Sequence, residues 1–196
     1  MADFKNPYGP QALTTVESGN AIAQRRTIRV FPTLADDAIS GNQGDVLINR
    51  AEIPNAVLQP GGCSVLLNSY IVDYEDVGTD EDFFVIFHSV SAADFGTLDA
   101  TADISVADLK ANKILGLKRW DKSSGGVGAF IDNARINELD SMTGNIGSAS
   151  AVNKPIFLQA EENSTSVYFS VVQNNTTTAT PDWDTGDLEF IFHIDY

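Results

Sequence analysis

The chain has 196 residues, with 27 acidic against 12 basic side chains, a net charge of −15, 43% apolar residues and only 20% charged ones. That apolar share excludes a disordered acidic tail, the shortage of Lys and Arg excludes a phosphate-backbone binder, and a single cysteine, Cys63, excludes an intrachain disulfide framework or sulfur-rich zinc site. The length suits one domain or two small ones, able to bury roughly 70% of the surface that the unfolded chain exposes.

The opening MADFKNPYGPQAL lacks the basic start and unbroken apolar core of a signal peptide, and no later stretch of about 18 apolar residues could span a membrane. A soluble protein made in the cytoplasm is expected. Residues 1–26 show neither a period of 2 nor one of 3.6 and contain Pro7, Gly9, Pro10 and Gly19, so they read as an extended arm. The arm carries Phe4, Tyr8, Leu13 and Ile22 without the periodicity to bury them, which predicts that a neighbouring subunit supplies the groove. Arg25, Arg26 and Arg29 stand at its junction with the rest of the chain, placed either to pair with carboxylates of their own chain or to bridge to an adjacent copy.

From Thr27 the pattern changes, and residues 27–196 read as one β-domain. TIRVF has strand chemistry and is followed by a connection rich in turn formers, then by DVLINRAEI and the turn PNAVLQPGG. The run Cys63–Tyr74 sends Val65, Leu67 and Ile71 one way and Leu66, Tyr70, Val72 and Tyr74 the other. Both faces are apolar, as for a strand inside a sandwich. EDFFVIFHSV repeats the message with Phe83, Val85 and Phe87 opposite Phe84, Ile86 and Val90. Between the two lies an acidic segment holding Asp73, Glu75, Asp76, Asp80, Glu81 and Asp82, read as a solvated hairpin loop. Calcium is the sharper alternative, but the regular D-x-D-x-D-G spacing is absent.

In DISVADLKANKILGL, Ser105 is placed to cap a short helix with Asp108 three residues on, and Val106, Leu109 and Ile114 recur at helical spacing; this helix is expected to plug an edge or end of the sheets. ILGLKRW, AFIDNARI, KPIFLQA and SVYFSVV follow as strands. GDLEFIFHIDY closes the chain, with Leu188, Phe190, Phe192, Ile194 and Tyr196 on a packed face and Glu189, Ile191, His193 and Asp195 on a mostly wet one. About eight strands, one short helix and turns at intervals of roughly ten residues predict an all-β fold: an antiparallel β-sandwich of jelly-roll type.

Catalysis has little to work with. His88 and His193 are the only histidines, and no nucleophile motif lies near either. His88 reads as a satisfied histidine of an apolar strand, whereas His193 shares a face with Glu189 and Asp195. The stretch DWDTGD, with Asp182, Asp184 and Asp187, reads as the turn before the last strand, with Trp183 tucked beneath it. Trp120 and Trp183 are too few tryptophans for the aromatic subsites of a glycosidase, although a sugar-binding module remains a competitor because β-sandwiches often serve that role. No catalytic residue, cofactor or metal is assigned.

The order of segments resembles a family of small virion proteins of tailed bacteriophages. The likeness is carried by GDVLINRAEIPNAV, VLLNSYIVDYED, DFFVIFHSV, DISVADLKANKILGL, SVYFSVVQN and GDLEFIFHI, spans roughly residues 27–196, and is most specific in D-I-S-V-A-D-x-x-A-x-x-I-L-G. It implies a β-sandwich structural component of the particle, a head decoration or cement protein without enzymatic activity, on the outer surface of the head. The partners it implies are other copies of itself, with a trimer favoured, and the major capsid protein, with no nucleic acid and no membrane. The N-terminal arm and the insert SSGGVGAFIDNARINELDSMTGN depart from the shorter members of the family. The other reading is a ligand-binding module, for a glycan or host surface, carried on a tail or fibre.

Overall fold

In the computed structural model, residues 25–34, 42–74, 82–121, 128–131, 134–138, 140–141, 155–174 and 183–196 are described. Their strands, in chain order, are β1 (Arg25–Val30), β2 (Val46–Ile53), β3 (Cys63–Asp73), β4 (Asp82–His88), β5 (Ile114–Asp121), β6 (Gly128–Ile131), β7 (Ala134–Glu138), β8 (Asp140–Ser141), β9 (Ile156–Gln159), β10 (Val167–Gln173) and β11 (Leu188–Asp195), with one helix, α1 (Val106–Asn112), between β4 and β5. They form an antiparallel β-sandwich. One sheet runs β1-β11-β3-β7-β6, with β9 sharing the far edge of β3; the other runs β2-β10-β4-β5-β8. Among the described residues no helix is long and apolar enough to cross a membrane.

The alternation read in the last strand is what joins the sheets. Leu188, Phe190, Phe192 and Ile194 are all fully buried. Phe192 meets Phe87 of the opposite sheet edge-on at 5.9 Å, and Phe169 meets Phe190 at 4.9 Å and Phe192 at 5.3 Å. Each such ring contributes about 1.5–3 kcal/mol through the apolar surface it removes from water, with aromatic contacts adding to that. Towards one end of the sandwich Trp120 stacks on Trp183 at 6.1 Å, and Phe83 packs edge-on against both.

Four sequence expectations change on folding. β1 begins at Arg25, because Arg25 and Arg26 already pair with Asp195 and Ile194 of β11; the strand therefore starts two residues before Thr27. In β3 the alternation breaks at Leu67: His193 pairs with Asn68 but Ile194 pairs with Leu66, which leaves Leu67 as a bulged extra residue. Leu66 and Ile71 therefore both point inward and are fully buried, although strict alternation puts them on opposite faces.

The helix is the third case. Ser105 caps it as read, its hydroxyl accepting from the Asp108 N–H at 3.1 Å and donating to the Asp108 carboxylate at 2.7 Å. However, α1 stops at Asn112, where Lys113 turns left-handed with φ 53°, and Val106 and Leu109 are exposed instead of plugging the sheets. The buried member is Asn112. Its side-chain oxygen accepts from the N–H groups of Ala92 and Ala93, at 3.0 and 2.9 Å, and its amide donates to the Ala93 carbonyl. Asn49 makes a matching clamp, accepting from the Phe95 N–H and donating to the Gly96 carbonyl. The connection after β4 is thus strapped across the end of β4, with Phe95 against the buried His88 ring.

Fourth, the acidic segment is not simply a solvated loop at its two described ends. Asp73 and Asp82 are buried. Asp73 accepts from the Trp183 indole at 3.2 Å. Asp82 takes a two-pronged bond from the Arg119 guanidinium and a further one from the Asn174 amide at 2.8 Å. Glu75, Asp76, Asp80 and Glu81 lie outside the described residues.

Candidate functional site

β1 is an edge strand. Ile28, 7% exposed, points inward and anchors it, while Arg25, Arg26, Thr27 and Arg29 are exposed; one side is hydrogen-bonded to β11 and, among the described residues, no strand pairs with the other. A bare edge is a template for another chain's backbone, and charged residues on it restrict which chain can add. Phe4, Tyr8, Leu13 and Ile22 of the preceding arm lie outside the described residues.

The three arginines are not equivalent. Arg29 donates to Glu189 Oε1 at 2.9 Å; its side chain is 62% exposed and that of Glu189 only 1%. Tyr74 donates its hydroxyl to Glu189 Oε2 at 2.7 Å, so both carboxylate oxygens are engaged. This bond, followed by burial and the adjacent negative charge, raises the Tyr74 phenol above its ordinary value, with Arg29 opposing. The face of β11 expected to be mostly wet therefore contains a fully buried carboxylate. Arg26 lies over the Tyr196 ring, 5.7 Å from its centroid, a cation–π geometry. Tyr196 donates to the Asn55 carbonyl at 2.6 Å, and its phenol is raised by burial against the opposing influence of Arg26. Arg25 remains exposed beside Asp195.

The same outer face carries His193, whose ring packs against Tyr70 at 5.3 Å. His88 is fully buried, and its bonds determine its tautomer. The Val90 carbonyl can only accept, so His88 Nδ1 donates to it at 2.8 Å, and Nε2 of the neutral ring accepts from the Ser170 hydroxyl at 3.2 Å, whose oxygen also accepts from the Arg50 N–H at 3.1 Å. Sequence reasoning missed this serine–histidine pair, because Ser170 and His88 stand 82 residues apart and no local motif links them. Both residues are fully buried and the second ring nitrogen is spent on a backbone carbonyl, so the pair locks β10 to β4 and offers no surface to a substrate.

Trp120 and Trp183, the two tryptophans of the chain, are both core residues, 2% and 1% exposed, and the burial of Trp183 agrees with its expected place beneath the turn before the last strand. The turn reading of Asp184 and Asp187 holds: the Asp184 N–H donates to the Asp187 carboxylate at 2.6 Å. Asp182 lies outside the described residues. Among the described residues no three His, Cys, Asp or Glu side chains are grouped to hold a metal ion.

On the opposite side of the sandwich, β5 runs against β9. A Cβ on Gly116 would sit 3.2 Å from the Ile156 side chain, and Lys113 forms an ion pair with Glu161 just beyond β9. Large apolar side chains are exposed on these elements: Phe157, 75% exposed, on the outer face of the first sheet, Ile114 and Leu117, 41% each, on that of the second, and Val106, 70%, and Leu109, 37%, on α1. Periodicity places such residues on a face but does not reveal that the face stays open.

No protein-family model and no curated protein sequence matches the chain. Among solved structures it is similar to a chain of the semi-empty virus-like particle of the giant freshwater prawn (Macrobrachium rosenbergii) nodavirus, with a TM-score of 0.37 and 10% identity over 89% of this chain and 92% of that one. The likeness to tailed-phage virion proteins rests on the segments quoted above.

Proposed function

We propose that the protein is a non-enzymatic structural component of a virion, a decoration or cement protein that binds the assembled head of a tailed bacteriophage and joins copies of itself and the major capsid protein. The observation that carries this reading is the β1 edge: an arginine-bearing strand on an acidic chain that, among the described residues, is paired on one side only, by β11, and is preceded in sequence by an arm whose apolar residues have no periodicity of their own. Backbone addition to such an edge is a way for subunits to bind without a pocket.

The winding supports it. With β6, β7 and β8 set aside, the sheets read β1-β11-β3-β9 and β2-β10-β4-β5, so β1 to β4 alternate between sheets and β9 to β11 do the same on the return. We assign this winding to the jelly roll, an architecture shared by viral capsid and lectin domains. The fold alone does not choose between shell and ligand-binding roles. Burial of both tryptophans and sealing of the Ser170–His88 pair favour the shell.

The test is position and copy number in an intact particle. Hundreds of copies on the head, located by labelled electron microscopy, are expected. A dozen or so copies at the tail would replace this reading with the ligand-binding module.

A further inference from the structure

We infer that the connection from β4 to α1 is an acid-sensitive strap: protonation of His88 frees residues 91–96 from the second sheet while the sandwich beneath stays folded. The inference goes beyond the shell reading and does not rest on it.

His88 sits where strap and sheet meet. It follows Phe87, which points into the core against Phe192, so its ring lies on the outer side of β4. There it is covered by two rings, Phe95 of the strap at 5.8 Å and Tyr168 of β10 at 6.1 Å, and Phe95 is itself buried. Nδ1 donates to the Val90 carbonyl, so the neutral ring also bonds the start of the strap.

The strap is unevenly held. At one end the Ser89 and Val90 N–H groups donate to the Lys113 and Asn112 carbonyls; at the other, residues 99–102 share backbone bonds with Gly44 and Val46. Among the described residues no backbone bond ties 91–96 to a strand. That middle stretch is carried by side chains: Asn112 bonds Ala92 and Ala93, Asn49 bonds Phe95 and Gly96, and Arg50 pairs with Asp94 and donates to the Ser91 carbonyl at 3.4 Å. A segment without ladder bonds opens at a lower free energy than the core, so 91–96 can move as a unit.

A charge on His88 meets no counter-charge. A proton on Nε2 turns an acceptor into a donor facing the Ser170 hydroxyl, which must then turn its own proton away. The charged and titratable groups around the ring are Arg50 on β2, its partner Asp94 on the strap, the Tyr168 phenol on β10 with Glu52 paired beside it, and, just before Ile114 of β5, Lys113 held by Glu161. Among the described residues no carboxylate bonds the ring. Burial opposes the added charge most, Arg50 opposes it too, and the Val90 bond favours it. The imidazolium is relieved by reaching water. On the inner side of β4 stands the core of Phe87, Phe169 and Phe192, whereas on the outer side Phe95 is carried by the strap. Lifting 91–96 therefore hydrates the ring and leaves the inter-sheet contacts whole.

Linkage sets the size of the effect. With an ordinary histidine value of 6.5 in the open form and a lowered one in the closed form, acidification from pH 7.5 to 5.0 raises the open fraction by about tenfold.

The experiment measures backbone amide exchange of the full chain between pH 7.5 and 5.0, corrected for the intrinsic rate at each pH. Protection at Ala92, Ala93 and Phe95 is expected to fall about tenfold across this range while Phe169 and Phe190 keep theirs. His88→Gln, shown to be folded by its thermal melt, is expected to remove the response, and His193→Gln to keep it. A second readout needs no change at His88: in His193→Gln it is the one histidine left, and the fall must set in near pH 6.5, above the ordinary carboxylate range of about 4. Unchanged protection of the strap, equal loss in the core, a response that survives His88→Gln, or one in His193→Gln that is absent or first appears at about pH 5 would each overturn the inference.

Discussion

Arg29 and Glu189 stand 2.9 Å apart on the outer face of the first sheet, an exposed guanidinium over a carboxylate buried to 1%. The burial is asymmetric, so the two ends of the pair differ in what their loss costs. A solvated arginine loses little by being unpaired, whereas a buried carboxylate without its partner keeps its desolvation penalty. Arg29→Ala is therefore expected to destabilise the domain by about 1–3 kcal/mol, with Arg29→Met/Glu189→Leu costing less than Glu189 left alone. Denaturant melts of the three chains measure this; equal stability of Arg29→Ala and the unaltered chain would show that solvent already serves Glu189.

Tyr74 reports on the same carboxylate. Its phenol is raised above the ordinary 10.0, so the folded state holds this proton more tightly than the unfolded one, and the stability it contributes is present below 10 and lost as pH rises through the higher folded value. In a spectrophotometric titration, Tyr74→Phe should remove a late-ionising phenol. Loss of an ordinary one at 10 would break the assignment.

His88 gives the opposite slope. Burial lowers its ring below the ordinary 6.5, with the Arg50 charge acting in the same direction and the Val90 bond against it. The folded state binds this proton more weakly than the unfolded one, so stability is full above pH 6.5 and falls as pH drops towards the lowered value. Proton NMR should show one histidine, absent in His88→Gln, titrating below 6.5. If that resonance titrates at 6.5 or above, the sealed neutral ring is wrong.

Asn112 tests the strap. Asn112→Ala removes the acceptor for two N–H groups and the donor to one carbonyl. Amide exchange at Ala92 and Ala93 should rise at least about tenfold while the Phe169–Phe190 core keeps its protection. Uniform loss of protection would mean that the strap and the core open together.

Phe169 is the contrasting site. It touches Phe87, Phe190 and Phe192 from full burial, so Phe169→Ala should cost about 3–5 kcal/mol and lower the denaturant midpoint. A loss under about 1 kcal/mol would show that the inter-sheet contact closes around the cavity.

Local patterns made much of this molecule legible. The alternation of Leu188, Phe190, Phe192 and Ile194, the doubly apolar β4 and the Ser105–Asp108 cap each depend on residues a few positions apart, and each folds as its pattern indicates. Arg25, Arg26 and Arg29 were identifiable as a basic stretch on an acidic chain. Their separate fates were not, because Glu189 and Tyr196 reach them only when β11 pairs with β1, some 160 residues away.

By itself, then, the amino-acid sequence determined the strand periods, the turns and the charge pattern, since sterics and side-chain chemistry act over one turn or one pleat. Tertiary structure alone decided the bulge at Leu67, the burial of Glu189, and the exposure of Val106, Leu109, Ile114, Leu117 and Phe157. Each of these depends on which surfaces meet across the chain. A one-residue slip exchanges the two faces of a strand, and an apolar side chain is core or surface only according to whether another layer covers it.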